Sequence, residues 1–135
     1  MTSKTRSPKL PRIIIGDEDF KALRLLADNV GGHLADAAEQ LVNELERAKQ
    51  VAQAKLPADV VAMGRYVFFE QADGTKRRIQ LVWPDQADIA EGRISVLTPV
   101  GAALIGLSET QSISFTTPKG DTQTVTVLKV EKPET

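Results

Sequence analysis

The hydrophobic period of this chain changes at Pro57, and that change constrains the fold more than any other feature. From Asp17 onward apolar residues recur every three or four positions, whereas beyond Pro57 they tend to recur every second position in short runs. One part is helical and the other is built of strands. A chain of 135 residues has room for only one modest core, so two large domains are excluded.

In the helical part, Phe20, Leu23, Ala27 and Val30 share a face, with Asp17 as the expected N-cap. Asn29-Val30-Gly31-Gly32 interrupts the pattern, because each glycine inside a helix costs about 1 kcal/mol relative to alanine. Leu34, Ala38, Leu41, Leu45, Ala48 and Ala52 then follow alternating steps of four and three, a heptad-type seam that needs a partner. The spacing predicts a second helix to about Ala54, ended before Pro57 and packed antiparallel on the first as a helical hairpin. Such helices reach roughly 18 and 30 Å. Upstream, Ile13-Ile14-Ile15 suits a short strand or an extended segment pinned to the main domain, and residues 1–11, with Lys4, Arg6 and Lys9, read as a solvated tail.

After Pro57 the expected strands are Arg65–Glu70, Lys76–Trp83, Arg93–Leu97, Ser112–Thr117 and Thr122–Val130. Turns are expected at Ala72-Asp73-Gly74 and Pro118-Lys119-Gly120-Asp121. Pro99 suits the first position of a short apolar helix closed by Gly106. The fold class is therefore α+β: a short antiparallel helical hairpin followed by an antiparallel sheet with one short helix. The expected units are a tail over 1–11, a hairpin over 12–56 and a sheet domain over 57–135. The seam can be satisfied within the hairpin, so a monomer is expected.

Charge narrows the function classes. Lys plus Arg total 17 against 18 for Asp plus Glu, so no bulk positive charge grips a nucleic-acid backbone and any such link is expected to run through protein. Lys76 and Arg78 project together from one strand, but the patch is small for independent nucleic-acid binding. No apolar run of about 18 residues is available to span a bilayer, and Met1–Arg12 is too polar for a signal peptide, so a cytoplasmic location and no membrane partner are expected. Without cysteine, and with His33 as the sole histidine, no metal site or cofactor is expected. No serine sits in a nucleophile-elbow pattern, and Gly31-Gly32 lacks the lysine and hydroxyl of a phosphate loop, so no catalytic residue is assigned.

The stretch from Ile94 to Leu107, Ile-Ser-Val-Leu-Thr-Pro-Val-Gly-Ala-Ala-Leu-Ile-Gly-Leu, resembles the strand-loop-helix segment of the Gre factor C-terminal domain. Leu81-Val82-Trp83-Pro84 upstream and Thr117-Pro118-Lys119-Gly120 downstream stand in that family's order. With Pro11-Arg12-Ile13-Ile14-Ile15 and Leu56–Met63, residues 11–131 resemble the Rnk family, regulators of nucleoside diphosphate kinase. The resemblance implies an FKBP-like fold for the sheet domain and docking on RNA polymerase at its secondary channel, in competition with Gre factors. It points to Ser95, Leu97, Thr98 and Pro99 as partner-binding residues, with Leu97 departing from the polar or acidic residue common in Gre factors. Gre factors stimulate transcript cleavage by carrying acidic residues on a long coiled coil into the polymerase active centre, where carboxylates help hold a second metal ion. Here the hairpin is short and its tip offers Asp28 and Asn29, with Asp36 roughly a turn back, so channel contacts rather than cleavage are expected. A cleavage factor and an FKBP-like prolyl isomerase are the alternatives; the scarcity of aromatic residues, 4%, disfavours a proline pocket.

Overall fold

A computed structural model describes residues 10–30, 32–117 and 119–133. Most of the expected tail (residues 1–9), Gly31 in the first break, Pro118 in the last turn and the side chain of His33 lie outside the described residues.

Strand β1 (Ile14–Gly16) runs straight into helix α1 (Asp17–Asp28). The N-cap is Gly16 rather than Asp17, and the orphan amides of the first turn are served from across the fold. The Asp19 amide donates to Gln53 Oε1 at 2.9 Å, and the Gln53 amide donates to Asp17 Oδ1 at 3.0 Å. This reciprocal pair does the work of a capping box with a partner 34 to 36 residues away.

After a 3₁₀ turn, helix α2 spans Ala35–Arg47. It is shorter than expected and does not reach Ala54. Ala48 is extended, and Lys49–Val51 forms strand β2, parallel to β1 with Ile14 opposite Lys49. The physical reason is the lack of a helical partner, because α1 begins only at Asp17. The chain instead gains ladder bonds such as Lys49 N–H to the Ile13 carbonyl at 2.9 Å. The start of α1 and the end of α2 therefore meet at one small two-stranded ribbon, and the helices are of similar length, about 18 and 20 Å.

The larger sheet contains β3 (Tyr66–Gln71), β4 (Lys76–Val82), β5 (Arg93–Ser95), β6 (Ser112–Thr116) and β7 (Thr122–Glu131), in the order β5-β4-β3-β7-β6. It is mixed rather than purely antiparallel, since β5 lies parallel to β4, with Leu81 opposite Ile94. Two 3₁₀ turns, Pro84–Gln86 and Ile89–Glu91, carry the chain back across the end of the sheet to make that pairing. Helix α3 (Pro99–Leu104) follows β5, which stops at Ser95 instead of continuing to Leu97.

One core joins both parts of the chain. Leu23 of α1 and Leu41 and Leu45 of α2 are buried in the same cluster as Val67, Phe69, Leu81, Leu104 and Val127. The segment before α1 is laced into it. The Ile14 amide donates to the Gly106 carbonyl at 3.0 Å, and Gly106 has φ +83, so a side chain there would be strained and would press on Ile13.

Candidate functional site

The corner between β5 and α3 is held by two hydroxyls. Ser95 Oγ accepts from the Leu97 amide at 2.9 Å. Thr98 Oγ1 donates to the Ser95 carbonyl at 2.8 Å and accepts from the Gly101 amide at 3.0 Å, so it closes the corner and caps α3 together. Pro99 occupies the first helical turn, where its missing N–H costs nothing. Gly101 is required by closeness, because a Cβ there would stand 2.2 Å from the Ser95 carbonyl oxygen.

Burial divides the four expected docking residues. Ser95 is 9% exposed and Leu97 3%, so both point inward. Thr98 and Pro99 remain half-buried at the surface. Leu97 has a packing role: it joins the core cluster that holds Val96, Ala102 and Ala103.

Thr98 and Pro99 stand on the rim of an open groove of about 830 Å³, which the buried Leu97 also lines. Its opposite wall is α2, with Asp36, Glu39, Gln40 and Glu44, and strand β6 adds Ser114 and Phe115. Asp36 is therefore brought to the same groove as Thr98 and Pro99. Gln40, one turn after Asp36, ties the walls together by donating from Nε2 to the Pro99 carbonyl at 3.2 Å. Sequence reasoning missed Gln40, although its four-residue spacing from Asp36 places both on one helix face.

The other two tip residues are elsewhere. Asp28 pairs with Arg24 at 3.6 Å along α1. Asn29 donates from Nδ2 to the Leu25 carbonyl at 2.7 Å and borders a separate apolar cleft between Leu25, Leu26, Trp83 and Pro84. Asp36 lines the groove, whereas Asp28 is held along α1 by Arg24. Among the described residues no group of three or more His, Asp or Glu could hold a metal ion, and no helix is long and apolar enough to cross a membrane.

At the far end of the groove Glu44 is buried beside Arg47, whose Nε donates to Glu44 Oε1 at 2.8 Å. Burial pushes the Glu44 carboxyl up from its ordinary range, while the Arg47 charge and hydrogen bond pull against that rise. Arg47 also donates to the Pro11 carbonyl, pinning the segment before β1 to α2.

Comparison with known proteins agrees with this architecture. The family model described as transcription elongation factor GreA/GreB, C-terminal, matches residues 56–132, and the model of the Rnk N-terminus matches residues 11–51. The regulator of nucleoside diphosphate kinase of Escherichia coli (strain K12) is 36% identical over 126 residues, which cover 92% of this chain and 93% of that relative. The transcription elongation factor GreA of Brucella abortus (strain S19) is 35% identical over 119 residues, 82% of this chain and 76% of that relative. A solved GreA/GreB elongation factor from Nitrosomonas europaea is 30% identical with a TM-score of 0.69, over 90% of this chain and 98% of the other.

Proposed function

Because this chain belongs to the family of the GreA/GreB C-terminal domain and carries the Rnk N-terminus, we propose that it is a non-catalytic transcription regulator that docks on RNA polymerase at the secondary channel and competes there with Gre factors without stimulating cleavage. The observation that carries this reading is the Thr98-Pro99 corner, rigidly built and half-exposed on the rim of the groove. Residues 57–135 form the docking unit, with the FKBP-like fold of Gre C-terminal domains, and residues 12–56 form a short antiparallel hairpin that occludes the channel mouth. The protein acts as a cytoplasmic monomer, and the polymerase contact is made by protein alone.

Cleavage needs two carboxylates delivered together to a metal ion. Helices of about 18 and 20 Å, with Asp28 tied to Arg24 and Asp36 in the groove beside Thr98 and Pro99, argue for occlusion rather than chemistry.

The test is competition on core RNA polymerase, with transcript cleavage in a stalled complex read in the same reactions. The protein is expected to displace a Gre factor and lower cleavage, and Pro99→Ala is expected to weaken displacement severalfold. Cleavage stimulated by the protein itself, or no binding to polymerase, would overturn the reading.

A further inference from the structure

We propose that the outer face of the five-stranded sheet is a binding platform for single-stranded nucleic acid, with the bases stacked on Phe68 and Tyr66. The strand register assembles it. Phe68 on β3 lies directly between Arg78 on β4 and Lys129 on β7, a row that reads cation, aromatic ring, cation across three neighbouring strands. One step along β3, Tyr66 lies between Gln80 and Glu131, and in the other direction Glu70 lies between Lys76 and Thr126.

Both rings are half-buried on the face turned away from the core, while Val67 and Phe69 beside them point inward. The Arg78 guanidinium carbon sits 4.2 Å from the centre of the Tyr66 ring and 5.4 Å from that of Phe68. Beyond the cations, Ser112 with Thr126 and Ser114 with Thr124 form exposed hydroxyl pairs at 2.6 and 2.9 Å.

This arrangement selects its ligand by chemistry. A planar base stacks on an aromatic face or on a guanidinium plane whatever its sequence. Cations on both sides of the stack are placed to meet the phosphates that precede and follow a stacked base. An acidic peptide is the poorer occupant, because its carboxylates can pair with the cations but offer no planar face to stack on the rings. The expectation that Lys76 and Arg78 are too small a patch for independent nucleic-acid binding counts charge on one strand alone; the register adds Lys129 and two aromatic rings, and stacking contributes to the affinity of single-strand platforms alongside charge. Glu131 restrains the site: it approaches both Arg78 at 3.5 Å and Lys129 at 3.4 Å.

The experiment is fluorescence anisotropy of a short fluorescein-labelled oligoadenylate RNA titrated with the full chain, in low salt and then in rising sodium chloride. Saturable binding is expected, with a logarithmic salt slope of about −2 for three phosphate contacts on a single strand. Phe68→Leu keeps an apolar side chain on the sheet but removes the ring, and is expected to weaken binding about tenfold. Glu131→Gln releases both cations and is expected to tighten binding about threefold, a gain that loss of folding cannot produce. The proposal is overturned by the absence of saturable binding in low salt, by affinities that neither variant changes, or by displacement of the RNA by polyglutamate at equal charge concentration. None of these outcomes depends on whether the protein binds polymerase.

Discussion

Glu44, which lines the groove, ties the stability of the fold to pH. Its carboxyl is raised by burial more than Arg47 lowers it, so the folded state holds a proton on Glu44 more tightly than the unfolded chain does. Stability from this group is therefore fully present below the ordinary carboxylate pKa and is lost as pH rises through the raised value. A neutral Glu44→Gln variant escapes that loss. Thermal melts of the two proteins are expected to agree most closely at acid pH, with the variant gaining on the native chain as pH rises to neutrality; a difference that stays constant with pH would refute this.

At the scale of elements, α1 owes its start to a residue outside its own neighbourhood. Gln53 accepts from the Asp19 amide and donates its own amide to Asp17, which fixes the ribbon of β1 and β2 to the first helical turn. Gln53→Ala removes the side-chain half of this pair and should cost about 1 kcal/mol, the usual worth of an N-cap, measured by urea denaturation. Gln53→Glu is expected to retain most of it, because a carboxylate still accepts from that amide and complements the positive end of the helix.

For the whole molecule, the shared core predicts shared unfolding. Leu41 on α2 is fully buried in the cluster that holds Val67 and Leu81 of the sheet, so helix and sheet should melt together. Leu41→Ala is expected to lower stability by about 2 to 5 kcal/mol. Helical circular dichroism and the fluorescence of Trp83, which packs against the same cluster, should shift to the same new midpoint. Two separated transitions would mean that the helices fold apart from the sheet.

Periodicity makes both helices, the sheet strands and the short helix after Pro99 legible in the sequence, because apolar spacing and the positions of proline and glycine act within a few residues. The Thr98-Pro99 corner was marked by its resemblance to Gre factors. The end of α2 was not legible: Ala48 and Ala52 continue the seam in sequence, yet α1 offers no partner there and the backbone of β1 does. The parallel pairing of β5 also escaped, since pairing partners are chosen across the fold and not along the chain. Tertiary structure alone brought Asp36 to Thr98 and Pro99, turned Ser95 and Leu97 inward, and set Phe68 between Arg78 and Lys129. Asp36 and Thr98, like Phe68 and Lys129, lie about 60 residues apart in the chain, the inward turn of Ser95 and Leu97 is a choice of face, and only the packing of one common core decides both.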